Sequence, residues 1–423
     1  MSFNNFPIVK VMENTLNYVD ERLIDHGRRV AYLVYRALRR QGACTGIALD
    51  EAVLLSLLHD IGAYQTEEID KMLQFEMEKV WEHSTYGYLF LKHFSPLSHL
   101  APVILFHHAD CADLANLASP FRELAQTIHV ADRFDILAQM GKDTSSLQRH
   151  FEQGRNVHFL PEVLDLFFFD GWERLFEEMD GDREFSSILY GGTFSERNLE
   201  AYVRMLALSI DFRSPQTVAH TFTSTCVCRI LAGCIGVDDN EAVRLFWGAM
   251  LHDLGKVGIP APILEKSGRL TEAEMEIMKK HVGITENILL GKVDELTLRL
   301  AVRHHEKLDG SGYPRGLNAG SLTKGQRLVA VADIFSALCG TRTYKAPYPR
   351  DKVESILRDM VLGGLLDADI VAAALGNYDL LMEEIEKTTR PVVNTYGQMK
   401  MEYDTLLEQI RDPSRGPASL EIL

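Results

Sequence analysis

One order of metal-competent side chains is written twice along this chain. The first pass reads His26, His59 with Asp60 in HDIG, His83, the doublet His107 and His108, and Asp132 in VADRFDIL. The second reads His220, His252 with Asp253 in HDLG, His281, the doublet His304 and His305, and Asp333 in VADIFSAL. His26 and His59 lie 33 residues apart and His220 and His252 lie 32; the steps from His83 to His107 and from His281 to His304 are 24 and 23. Over 423 residues such an order points to two copies of one fold, which matches the length of two ordinary domains. The expected boundary falls near residue 200, around YGGTFSERN, giving domains at 1–200 and 201–390 and a helical, charged tail at 391–423.

Each copy opens on a helix. In DHGRRVAYLVYRAL the residues His26, Val30, Leu33, Val34 and Ala37 share one face, and in AHTFTSTCVCRIL so do His220, Ser224, Val227, Cys228 and Leu231. Both leading histidines therefore face inward. Stretches such as SPLSHLAPVILFHH and ILRDMVLGGLLDADIVAAAL read as helices interrupted by Pro or Gly, and few segments alternate with the period of two that strands need. The expected fold class is mostly α, with two tandem helical domains related by duplication.

Charge limits the ligands. A formal net charge of −16 repels long nucleic acids and anionic membrane surfaces, so a small phosphorylated ligand must be held by local cations. The N-terminus lacks a basic segment followed by an apolar run, and no run of 18 apolar residues occurs, so a cytoplasmic protein is expected. Six cysteines without a C-x-x-C pair suit a reducing compartment. The cluster CVCRILAGC reads as small residues on a packed helix, because C-x-C in a helix splays its thiols apart.

Imidazoles and carboxylates without thiolates suit Fe, Mn, Zn or Ni in sites that hydrolyse. Neighbours on a helix point about 100° apart, so an adjacent His-Asp pair can present its histidine to one ion while the carboxylate spans to another. A His-His doublet converges on one ion only at a helix end or turn. Any one histidine alone would more often be a core or surface residue, and His93, His99, His129, His150 and His158, which stand outside the repeat, are read as solvent-facing or capping.

The motifs HDLGKVGIPAPILEKSGRLT, HHEKLDGSGYP and VADIFSALCGTRTYKAPY, in this order, resemble the HD-GYP family of metal-dependent phosphodiesterases, a branch of the HD superfamily that hydrolyses cyclic dinucleotides. The resemblance covers roughly residues 210 to 380. It implies that His220, His252, Asp253 and Asp333 hold one ion and that Asp253 bridges to a second held by His281, His304 and His305. It also implies two divalent ions, Fe or Mn first and Zn or Ni as alternatives. Asp253 and Lys256 would be catalytic, with Lys256 on the scissile phosphate; Arg342 and Lys345 would hold substrate, and Gly312, Tyr313 and Pro314 would form the loop beside it. Members with a third ion carry glutamate where this chain has Gln216, which favours two.

The implied substrate is cyclic di-GMP or 3′,3′-cyclic GMP-AMP, opened to a linear 5′-phosphorylated dinucleotide. Cyclase (GGDEF) proteins are implied partners through the GYP loop, and a homodimer is compatible with the family. The first copy keeps all seven ligand types but has Ala63 in place of Lys256, no GYP loop and no counterpart of Arg342 and Lys345. A regulatory or structural role is expected for it. Two other readings stay open: a metal-containing sensor or docking module that binds the dinucleotide without cleaving it, and an HD-type hydrolase of ordinary nucleotides.

Overall fold

The computed structural model describes residues 2–4, 6–19, 21–42, 46–63, 81–115, 117–169, 172–214, 217–266, 268–340, 347–412 and 420. Among these residues the chain is overwhelmingly helical, and its one sheet is a short antiparallel pair, Ser2–Asn4 against Thr193–Ser195. No described helix is long and apolar enough to cross a membrane. The chain divides into two compact units, Met1–Met205 with Met399–Leu423, and Leu206–Gln398.

Five helices carry the repeated residues in the first unit or lead into the turns that do: α1 (His26–Gln41), α2 (Leu49–Leu57), α3 (Trp81–Phe94), α4 (Ala101–Leu105) and α5 (Phe121–Gln139). The inward face expected of α1 is buried at His26, Val30, Leu33, Val34 and Ala37, and the helix packs on α2 and α5 while α3 packs on α4. In the second unit the same series is α6 (His220–Ile235), α7 (Asp239–Leu251), α8 (Glu272–Leu289), α9 (Glu295–Ala301) and α10 (Lys324–Cys339). Here α6 packs on α7 and α10, and α7 packs on α9.

The helix boundaries are locally encoded. Gly42 ends α1 at φ 82° and Gly236 ends α6 at φ 70°, a left-handed conformation that only glycine adopts without strain. Thr271 with Glu274 and Thr323 with Gln326 form capping boxes that open α8 and α10, each satisfying two backbone donors. Val227, Leu231, Leu245, Phe335, Leu357 and Ile370 belong to the core of the second unit; each side chain so buried contributes about 1.5–3 kcal/mol.

The helical tail expected from residue 391 begins within a longer helix, α11 (Tyr378–Arg411), that holds Pro391 inside it. The last part of α11 belongs to the first unit, where Tyr403 stacks on Tyr86 at 4.1 Å and Glu402 accepts from Lys92 at 2.9 Å.

The glycine of each H-D-x-G motif fixes the turn that carries the His-Asp pair. A Cβ on Gly62 would stand 2.0 Å from the carbonyl oxygen of His83, and one on Gly255 would stand 1.9 Å from that of His281. The turn thus lies directly on the helix that supplies the next histidine, and the Gly255 amide donates to Thr285 Oγ1 at 2.9 Å. No side chain fits between these two backbones. Gly255→Ala is expected to force them apart at a cost of about 3 kcal/mol or more, the upper end for overpacking. Urea unfolding checks this: a midpoint equal to that of the wild type contradicts the packing account.

Candidate metal centre

In the second unit α6 opens on His220, the turn after α7 carries His252 and Asp253, α8 carries His281, the turn after α9 carries His304 and His305, and α10 carries Asp333. Asp253 faces two ways. Its Oδ2 is 3.4 Å from His220 Nε2 and 3.1 Å from His252 Nε2, while its Oδ1 is 3.6 Å from His281 Nε2 and 4.0 Å from His304 Nε2. Asp333 completes the arrangement, with Oδ1 3.0 Å from His220 and Oδ2 3.6 Å from His305. Two sets result whose ligand atoms lie within 4.8 Å of one another: His220, His252 and Asp253, and His281, His304 and His305.

The tautomers follow from the backbone. The Nδ1 atoms of His252, His281 and His304 each lie 2.6 Å from the carbonyl oxygen three residues earlier, and a carbonyl can only accept. Each Nε2 therefore presents a lone pair to the centre, the usual state of a ligating histidine. The Nε2 atoms of His281 and His304 are 3.4 Å apart, too close for two lone pairs without a positive charge between them. His252 Nε2 and Asp253 Oδ1 are buried and make no hydrogen bond. Two acidic side chains, converging lone pairs and orphaned buried atoms together fit divalent cations.

The electrostatics agree. Burial opposes the charge of Asp253, yet His252, Lys256 and His220 hold it far below the usual carboxylate range. Burial also opposes protonation of His252, but Asp253 and Asp333 outweigh it and raise its pKa to about 10, so the place between the two carboxylates draws positive charge, either a proton on His252 or a cation that takes the proton's place and leaves the Nε2 lone pair free. Burial pushes His304 well below its ordinary value and His305 down to about 3, keeping both imidazoles neutral and able to donate.

A cavity of about 230 Å³ opens on this centre, and His220, Asp253, Lys256, His305, Asp333 and Ser336 are part of its wall. Lys256 donates to Asp253 Oδ2; burial disfavours its charge, but Asp253, Asp211 and Asp333 more than restore it and raise its pKa. Arg213 donates to the carbonyl oxygens of Lys256 at 3.1 Å and Val257 at 2.6 Å, which stiffens the turn that carries the lysine.

Gly312, Tyr313 and Pro314 are not among the residues that line the cavity; the Tyr313 ring packs on that of His305 at 4.6 Å. Glu306, buried directly after the doublet, holds this loop by accepting from the amides of Arg315 and Leu317, both at 2.8 Å. Arg342, Lys345 and Gln216 lie outside the described residues.

Several contributors were not singled out in the sequence. Glu306 sits inside the quoted HHEKLDGSGYP, but nothing in spacing distinguishes a buried loop anchor from a solvated glutamate. Asp211 is buried beside Lys256 and His220, with its pKa raised to about 6 chiefly by burial. Ser336 contacts His220 Nδ1 at 3.0 Å, and the position three residues after Asp333 could have been read from the repeat. His129, expected at the surface or at a cap, is instead buried with its ring 5.7 Å from that of His108.

The first unit brings its seven residues together in the same way, as the sets Asp60, His83, His107 and His108, and His26, His59 and Asp132. Described HD domain families match residues 23–137 and 203–370, so the chain carries two HD domains and belongs to the HD domain family. Among curated relatives, 3′3′-cGAMP-specific phosphodiesterase 1 of Vibrio cholerae is 27% identical over 378 residues, covering 84% of this chain and 87% of the relative. The 3′3′-cGAMP-specific phosphodiesterase 3 of the same organism is 37% identical over 44% of this chain and 40% of its own length. The cyclic di-GMP phosphodiesterase response regulator RpfG of Xanthomonas campestris is 38% identical over 43% of this chain and 48% of its own length. The last two matches thus span less than half of those relatives. A crystal structure of the cyclic GMP-AMP phosphodiesterase V-cGAP3 of V. cholerae shares the fold, with a TM-score of 0.56 at 19% identity over 91% of this chain and all of that one.

The Glu306 anchor is open to test. Glu306→Gln sets an amide group against one of two backbone donors, a loss of about 1–3 kcal/mol for a buried hydrogen bond to charge. Protection of the Leu317 amide in hydrogen exchange is expected to fall about ten- to a hundredfold, and unchanged protection excludes the anchor.

Proposed function

We propose that the second HD unit is a metal-dependent phosphodiesterase that opens a bacterial cyclic dinucleotide, cyclic di-GMP or 3′,3′-cyclic GMP-AMP, to a linear 5′-phosphorylated dinucleotide. The observation that carries this reading is the two-faced Asp253, one oxygen toward each histidine set, on the wall of a cavity that also holds a cationic lysine. The named activities of the relatives support the substrate class.

His220, His252, Asp253 and Asp333 would hold one divalent ion, and His281, His304 and His305, with Asp253 shared, a second. Such ions supply Lewis-acid polarisation of the scissile phosphate and acidify the attacking water. The protein's own groups do the rest. Ser336 orients His220, backbone carbonyls fix the tautomers of His252, His281 and His304, and Arg213 steadies the Lys256 turn. Lys256 offsets the charge that develops on the non-bridging phosphate oxygens, a contribution made at fixed geometry and away from bulk water. Fe or Mn is the proposed pair, since a mixed imidazole and carboxylate set without thiolate accepts both.

Incubation of Mn²⁺- or Fe²⁺-loaded protein with each cyclic dinucleotide and with deoxynucleoside triphosphates, resolved by chromatography, tests the reading. Linear dinucleotide is expected. Cyclic dinucleotide that is bound but left intact would make the unit a sensor, and turnover of triphosphates alone would make it another HD hydrolase. Lys256→Ala should lower kcat about a hundred- to a thousandfold with the metal content unchanged, the size of loss seen when one electrostatic donor to a transition state is removed. Asp253→Asn should abolish turnover and deplete metal, whereas Asp60→Asn should leave turnover largely intact; equal loss in both would make the first unit catalytic too.

A further inference from the structure

The first unit repeats the candidate ligands of the second, and among the described residues their surroundings differ. Asp60 Oδ2 is 3.6 Å from His26 Nε2 and 3.3 Å from His59 Nε2, and its Oδ1 is 3.7 Å from His83 Nε2 and 3.9 Å from His107 Nε2, the same two-faced placement as Asp253. His59 Nδ1 lies 2.8 Å from the Ser56 carbonyl oxygen and His107 Nδ1 2.6 Å from that of Ile104, which turns both Nε2 lone pairs inward. His83 Nε2 lies 3.4 Å from His107 Nε2 and 3.1 Å from His108 Nε2. His26 Nε2, His59 Nε2, both oxygens of Asp60 and Asp132 Oδ1 are buried without a hydrogen bond. So many orphaned groups in one buried place fit cations there too.

The surroundings differ at three positions of the repeat. Three residues after the leading histidine, Thr223 in the second unit is Arg29 in the first; three after the last aspartate, Ser336 is Asp135; three after the His-Asp aspartate, Lys256 is Ala63. Thr223, Ser336 and Lys256 all line the second unit's cavity. In the first unit Arg29 Nε meets Asp135 Oδ1 at 2.5 Å and Arg29 Nη2 meets Asp135 Oδ2 at 3.0 Å, and the same Oδ2 is 2.7 Å from His26 Nδ1. Among the described residues, a cavity beside His26, His59 and Asp60 is about 20 Å³, against about 230 Å³ for the one in the second unit. Side-chain exposure falls accordingly, from 15% at His220 to 4% at His26 and from 28% at His305 to 6% at His108.

We propose that the first HD unit holds its own pair of divalent metal ions in an enclosed, non-hydrolytic centre, and that the Arg29–Asp135 ion pair fills the space through which the second unit's centre is reached. Closed coordination is the mark of a structural metal site, and an open position that of a catalytic one. Asp135 is a positioning residue: it fixes the ring of His26 through Nδ1 and increases its strength as a donor, while Arg29 holds the carboxylate in place.

The test is metal release and does not depend on hydrolysis, so it can fail while the phosphodiesterase reading stands, and the reverse. Purified wild-type protein loaded with Mn²⁺ is exposed to a chelator, and freed metal is followed in time. Two phases of similar amplitude are expected, a fast one that Asp253→Asn removes and a slow one that persists in that variant. A single fast phase in the wild type overturns the proposal, and so does an Asp253→Asn protein that has no metal to release. In the Asp253→Asn background, restoring the second unit's residues with Arg29→Thr and Asp135→Ser is expected to speed the slow phase at least tenfold. An unchanged slow rate overturns the role of the ion pair. This readout also separates positioning from general stability, because thermal unfolding of the same variant in excess Mn²⁺ should remain cooperative.

Discussion

A buried carboxylate that faces imidazoles from both oxygens is the constraint on which this molecule is built. Asp253 and Asp60 are buried, yet each has unsatisfied oxygen. An uncompensated buried charge costs several kcal/mol, so a fold that keeps one must supply positive charge at the same place. Around each carboxylate stand histidines whose Nδ1 atoms lie against backbone carbonyls, which turns Nε2 lone pairs rather than N–H groups toward the same place, so that the positive charge required there would be a bound cation. Helix ends, the H-D-x-G glycine and the position of the doublet in a turn all serve that convergence.

The doublet is made twice and the glycine-rich loop once because the anchor for the loop exists once. Glu306 follows His305 and bonds two loop amides, whereas Ala109 follows His108 and has no side chain with which to hold a loop. In the first unit the corresponding space is organised by Gln126, which donates to the Ala109 carbonyl oxygen at 2.8 Å, and by His129 beside His108. The two units therefore share a ligand skeleton and differ in what surrounds it.

That division also explains what could be read in the sequence. Helical class and the inward face of α1 were legible because burial follows a period of 3.6 residues, and Val30, Leu33, Val34 and Ala37 obey it. The residues brought together around Asp253 and Asp60 were legible because their order is duplicated, so that each copy checks the other. Contacts made by residues with no periodic or repeated signature were not. Asp211 and Glu306 look like ordinary surface acids until tertiary packing buries them. Tyr313 belongs to a motif that suggests a cleft residue, but the motif does not say which way a turn presents its ring, and here the ring lies on His305. The exchange of Ser336 for Asp135 was visible in the repeat but had no meaning before His220 Nδ1 and His26 Nδ1 were seen to bind those side chains.

Divergence after duplication has thus acted on the wall of the site and left its centre intact. The candidate ligands are constrained together, since losing one leaves the others as uncompensated buried charge or facing lone pairs. Wall residues are not tied to one another in this way, and Thr223, Ser336 and Lys256 are exchanged for Arg29, Asp135 and Ala63 with the formal charge of the three positions falling from +1 to 0. A lysine leaves, an arginine enters, and the arginine brings its own carboxylate partner in Asp135. The filled wall shields His26 and Asp132 from solvent where His220 and Asp333 are partly open to it. Among the described residues, the wall around the candidate ligands, and not the set of candidate ligands, is what differs between the two halves of this chain.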